Sequence, residues 1–236
     1  MKNDLINTKT HRRDFLTIIR NTAAAVGLST IIKPLQIHSE PLLKNMTISN
    51  PDDPDQWFNK ITGKHKIVFD ATRPHEVYPF AWPRVYLITN EKTGTPTKNN
   101  SVVVVLRHEA IPYAFENKLW EKYKFGEIFK ADDPKTKVPS VRNPFWMPGA
   151  DDFKIPGLGS VNIGINQLQA DGVLFCVCNM AIQVFTAAVA QKLNMDAAEV
   201  KKDWLSGLLP GVQVVPSGVW AVGRAQEHGC TYCFAG

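Results

Sequence analysis

Four cysteines stand in the last third of this 236-residue chain, at positions 176, 178, 230 and 233. Cys178 ends the apolar run 173–178 and is followed at once by an Ala-rich stretch of helical character. A thiol placed between a strand and a helix meets unpaired backbone N–H groups and the positive end of the helix dipole, which favour a thiolate. Cys176 stands two residues earlier, on the same face but deeper in the strand. A buried free cysteine of that kind is commonly a small hydrophobe. Cys230-Thr231-Tyr232-Cys233 has C-x-x-C spacing. A thioredoxin-like pair opens a helix, whereas this one follows a helix, and Phe234 stands where covalent haem attachment needs His. A structural disulfide, half a metal site and a mobile redox pair all fit the spacing. One zinc ion on all four cysteines fits less well. A flavodoxin-like strand order would set the third and last strands two spacings apart, ~9–10 Å.

Polar residues follow each predicted strand. The first ends in Thr72-Arg73-Pro74-His75, the second in Arg107-His108-Glu109, the third in Cys178-Asn179 and the fourth in Pro216-Ser217-Gly218. In open α/β sheets ligands bind beyond the carboxyl ends of the strands. His75, Arg107, His108, Cys178 and Ser217 are therefore expected to meet at one edge. His108 suits a general base, a ligand or a plain strand-end polar residue. Ser217 reads as a helix cap rather than a nucleophile, because no G-x-S-x-G elbow surrounds it. No glycine-rich phosphate loop, HExxH or acidic metal cluster is present, and no residue is assigned as a metal ligand. No cofactor is expected, with a metal at Cys230 and Cys233 as the alternative.

The elements that must position these residues follow from pattern. Strands are predicted over 66–71, 101–106, 173–178, 211–216 and 230–234. Helices are predicted over 81–91, with Pro83 in the first turn, and over 116–123, 179–193, 196–205 and 218–228. Val161, Ile165 and Leu168 share helical spacing. The run 102–106 is continuously apolar and β-branched, as in a strand buried on both faces of a parallel sheet. Alternating strands and helices argue for α/β architecture: a mostly parallel sheet of about five strands, with helices on both faces. Residues 126–159 form a long insertion punctuated by Pro and Gly, of a length that is usually functional or flexible. Its Phe145-Trp146-Met147 either caps a pocket or packs on the surface.

The net charge of +5 lies mostly at one end. Residues 1–38 hold Lys2, Lys9, Arg12, Arg13, Arg20 and Lys33 against Asp4 and Asp14. The remainder is almost neutral, so nothing in its charge argues for a nucleic-acid surface. Arg12-Arg13-Asp14-Phe15-Leu16 looks like a twin-arginine export signal, and the weakly apolar stretch to Ile32 suits such a leader better than a membrane span. Residues 1–38 are thus read as a leader engaging the export machinery, 39–63 as a linker and 64–236 as the folded domain. Cleavage is expected between 32 and 44; an uncleaved leader would tether the protein. An exported, periplasmic protein meets an oxidising compartment, where thiols pair or are actively managed.

The stretches 103–115 (VVVLRHEAIPYAF), 173–182 (VLFCVCNMAI) and 211–236 (GVQVVPSGVWAVGRAQEHGCTYCFAG) together resemble the DsrE/DsrF-like sulfur-relay family. The resemblance spans roughly residues 64–236. It implies a small three-layer α/β sandwich that often assembles as trimers or hexamers. In that family a cysteine at the end of the third strand carries sulfur as a persulfide, and Cys178 matches that position, with Cys176 a neighbouring candidate. Relay members are generally short, cytoplasmic and built to hand sulfur to protein partners. This chain departs from them in its leader, its 126–159 insertion and its added C-x-x-C.

Three functions follow as expectations. In the first, Cys178 accepts sulfane sulfur from a small sulfur species or a donor protein, as a carrier, sulfurtransferase or thiol redox protein. Arg107 and the helix terminus would stabilise its negative charge, His108 would move protons, and Cys230 and Cys233 would resolve the persulfide if they reach it. The second is a non-catalytic small-ligand or metal-binding module lidded by the insertion. The third is a structural subunit whose cysteines are core residues and a disulfide.

Overall fold

The computed structural model describes residues 53–155 and 159–236. The twin-arginine leader, with Arg12 and Arg13, and the first part of the linker lie outside the described residues. The strands are β1 (His65–Ala71), β2 (Asn100–Leu106), β3 (Lys154–Ile155), β4 (Gly159–Ser160), β5 (Leu174–Cys178), β6 (Val212–Val215) and β7 (Thr231–Phe234). The helices are α1 (Tyr78–Lys92), α2 (Asn117–Tyr123), α3 (Phe125–Ile128), α4 (Ile165–Ala170), α5 (Asn179–Leu193), α6 (Ala197–Ser206) and α7 (Gly218–Glu227). Among the described residues no helix is long and apolar enough to cross a membrane.

Five strands form one sheet in the order β6-β5-β2-β1-β7, with every neighbouring pair parallel. The apolar run of β2 is buried on both faces, as its composition requires. Val102, Val104 and Leu106 enter the larger core with residues of α1, α2, α4, α5 and α6. Val103 and Val105 enter a smaller core beneath α7. The result is a three-layer α/β sandwich.

The handedness of the connections explains the unequal layers. β1, β2, β5 and β6 succeed one another in a single direction across the sheet, so right-handed crossovers put their helices on one face. β7 lies at the far edge, beyond β1. The chain must return across the sheet to reach it, and the same handedness puts α7 on the opposite face. This order differs from the flavodoxin-like one and sets β5 and β7 three spacings apart, roughly 14 Å.

Three local readings are corrected. Trp57, Phe58 and Ile61, in the stretch read as linker, fill the smaller core, where Gln56–Lys60 form a 3-10 turn. The first helix begins at Tyr78, so Pro79 takes the first-turn place and Pro83 lies inside the helix. His108–Ala114, directly after Arg107, form a 3-10 turn. The insertion is of mixed character: Met147 is exposed and Lys130 and Asp132 line a polar cleft, while the centre of the segment packs as core. Its Phe145 is fully buried and stacks on Phe80 of α1 at 4.1 Å and on Phe153 at 5.2 Å. Buried Asn143 ties the segment down by donating to the carbonyls of Tyr113 and Phe115. At Gly126 a Cβ would stand 2.3 Å from the backbone of Ser140, so only glycine allows the insertion to close there.

Candidate functional site

β5 and β6 are neighbours, yet β5 runs into α5 on one face and β6 into α7 on the other. Where successive connections diverge, a crevice opens beyond the carboxyl ends of the strands. Cys178 sits at that point, opposite Val215 in the register of β5 and β6. A cavity of about 280 Å³ opens here, and Arg107, His108, Cys178, Met180, Phe185 and Ser217 are among the residues lining it. Val184 and Val219 form an exposed apolar rim.

Cys178 is the N-cap of α5, with no loop between strand and helix. Its Sγ accepts the Ala181 backbone N–H at 3.3 Å, so the sulfur stands at the positive end of a 15-residue helix. Ser217 caps α7 in the same manner, its Oγ accepting the Trp220 N–H at 3.2 Å. This role for Ser217 agrees with its sequence reading. Two helix N-termini from opposite faces therefore converge on one cavity.

Arg107 follows β2 and lines the cavity, but its charge is shared. Its Nε and Nη2 donate to the two oxygens of Asp70 at 2.6 and 2.8 Å. This bidentate bond raises the guanidinium above its ordinary value, and the Asp70 charge offsets part of what Arg107 presents to Cys178. His108 holds a left-handed backbone, φ 52°, which is uncommon for a non-glycine residue. Its ring meets Phe185 edge-on at 6.1 Å.

The remaining sequence candidates lie elsewhere. His75 does not join the cavity; it lines a second, more polar cleft with Tyr113, Lys130 and Asp132. Its backbone follows β1, which β2 separates from β5, and its ring lies tilted against Tyr78 at 4.9 Å. Cys176 is fully buried in the smaller core, and burial raises its thiol well above the usual range. Cys230 also enters the smaller core, where burial raises it to about 11, while Cys233 packs towards the larger core. The two thus lie on opposite faces of an extended segment. Three residues of strand span ~10 Å, beyond the Cα separation of up to ~6.8 Å that a disulfide tolerates. All four cysteines are free. Cys230 just before β7 and Cys233 on it, three strands from β5, do not reach the Cys178 cavity. Among the described residues no group of three or more His, Cys, Asp or Glu is placed to hold a metal.

Several site residues were not anticipated. Asp70 carried a signal: a carboxylate inside an apolar strand needs a partner. Met180 and Phe185 were legible only as helix residues. At Gly218, a Cβ would stand 2.4 Å from the Cβ of Arg107, so this glycine lets α7 start against the arginine.

No family model matches the chain, and no curated protein matches it. Among solved structures, it is similar to a protein of unknown function, MTH1491 from Methanobacterium thermoautotrophicum. The two are 16% identical over 72% of this chain and 99% of that one, with a TM-score of 0.38.

Proposed function

We propose that this chain is an exported, DsrE-like protein whose Cys178 carries sulfane sulfur as a persulfide. The observation that carries the reading is the position of Cys178. Its sulfur caps α5 and faces an apolar cavity at the point where the sheet's connections diverge. The Ala181 N–H and a helix dipole favour anionic sulfur at such a place, and low polarity protects a persulfide from competing reactions with water.

With thiosulfate as donor the step balances without a further reagent. The Cys178 thiolate attacks the outer sulfur, a new S–S bond forms, and the donor's S–S bond breaks. Sulfite leaves with the bonding electron pair, and Cys178 holds the persulfide anion. An acceptor thiolate reverses the chemistry by taking the outer sulfur and releasing the Cys178 thiolate. Arg107 faces the incoming anion, and His108 exchanges protons with donor or acceptor thiols.

The paired Arg12 and Arg13 ahead of Phe15-Leu16 support export to the periplasm. The exposed apolar residues Val184, Val219, Tyr232 and Phe234 support association into a homo-oligomer or with a donor protein. A non-catalytic small-ligand module is the second reading, favoured by the apolar cavity wall and by the partial neutralisation of Arg107. Cyanolysis separates the two. After thiosulfate treatment, wild type is expected to release thiocyanate with cyanide, and Cys178→Ser to release none. A wild type without cyanide-labile sulfur overturns the carrier reading.

A further inference from the structure

The Cys230-Thr231-Tyr232-Cys233 segment carries two thiols, yet its contact with the site is made by its phenol. Tyr232 of β7 donates its hydroxyl to Asp70 Oδ2 at 3.0 Å. Asp70 of β1 is 2% exposed and receives Arg107 on both oxygens. Arg107 of β2 lines the Cys178 cavity. The order β5-β2-β1-β7 turns these contacts into a relay of side chains along the carboxyl edge of four adjacent strands.

We infer that Tyr232 and Asp70 are positioning residues that aim Arg107 at anionic reagents approaching Cys178. The inference rests on Cys178 being the reacting group. A buried carboxylate must have its lone pairs satisfied. Three donors on Asp70 fix the plane of the guanidinium, because Nε and Nη2 are both held. The remaining N–H groups of the fork are then directed by the rigid planar geometry rather than by a flexible stem. Gly218 closes the arrangement from the other side, since no larger residue fits against the arginine stem. The Tyr232 hydroxyl also draws charge density from Asp70, leaving more of the Arg107 charge for an incoming anion. Tyr232 is about half exposed, and its phenol is raised by partial burial and then by the bond to Asp70. It therefore remains a donor at neutral pH.

The test uses two alkylating probes of similar size, anionic iodoacetate and neutral iodoacetamide, on the full chain. The ratio of their rates at Cys178, read by peptide mass, reports anion guidance independently of general accessibility. Tyr232→Phe removes only a hydroxyl from a half-exposed ring. It is expected to lower the ratio by roughly threefold to tenfold, the scale of one ordinary hydrogen bond, with the iodoacetamide rate unchanged. Arg107→Gln is expected to set the floor, and the double variant Cys230→Ser/Cys233→Ser to keep the wild-type ratio. A wild-type ratio in Tyr232→Phe, or in Arg107→Gln, overturns the inference, as does a Cys178 that reacts with neither probe. Alkylation involves no sulfur transfer. If the ratio falls in Tyr232→Phe while Cys178 accepts no sulfane sulfur, the carrier reading fails and this inference stands.

Discussion

Gly218 and Arg107 approach so closely that a single methyl group on the glycine would stand 2.4 Å from the arginine Cβ. The first helical residue of α7 is thereby fitted against the first residue after β2, and the cavity between them depends on the missing side chain. Gly218→Ala is expected to push α7 or Arg107 out of place. Overpacking of this kind costs about 1–3 kcal/mol, measurable by urea denaturation. Sulfur loading of Cys178 should slow in the same variant.

Cys178 has a separable structural role as the cap of α5. Serine is a good N-cap, so Cys178→Ser should keep nearly wild-type stability while losing sulfur uptake. Cys178→Ala loses both, and its stability should fall by about 1 kcal/mol, the usual worth of a cap. Thermal unfolding of the two variants side by side checks this.

The thiols should differ in reactivity at pH 8. Burial raises Cys230 to about 11 and raises Cys176 and Cys233 as well, so their thiolate fractions are small. Native iodoacetamide treatment should modify Cys178 first, as mapped by peptide mass.

The same burial makes stability depend on pH. A group raised in the fold contributes stability that is fully present below its unfolded value and is lost as pH rises through its folded value. For Cys230 the window runs from the ordinary thiol value of 9.0 to about 11. Stability should decline across it, and Cys230→Ala should flatten that part of the profile in denaturant titrations from pH 8 to 11.

The insertion should behave as core. Phe145→Ala is expected to cost about 3–5 kcal/mol, as for other buried aromatics. Iodoacetamide reactivity of Cys178 in the folded fraction should stay unchanged, because no described insertion residue lines its cavity.

Much of the architecture was legible because burial leaves a local signature. The β-branched run of β2 could only suit a strand covered on both sides, and Cys178 stood visibly between a strand and an Ala-rich helical stretch. Ser217 declared itself as a cap by type and position. Strand order was not legible. It depends on α7 carrying the chain back across the opposite face, a global event that no local spacing encodes. That single feature separated the Cys230 and Cys233 pair from Cys178 and set Tyr232 beside Asp70 instead. His75 lies elsewhere for a related reason: strand ends do not all meet at one point, and the crevice forms only where α5 and α7 diverge. Phe145 misled because its surroundings are poor in periodicity, and burial there arises from contact with distant Phe80.

The decisive measurement is intact mass of the protein after exposure to thiosulfate, comparing wild type, Cys178→Ser and Cys230→Ser/Cys233→Ser. Wild type and the double variant should each gain whole sulfur atoms, lost again on adding a thiol, while Cys178→Ser gains none. Sulfur retained in Cys178→Ser, or absent from wild type, would contradict persulfide carriage by Cys178.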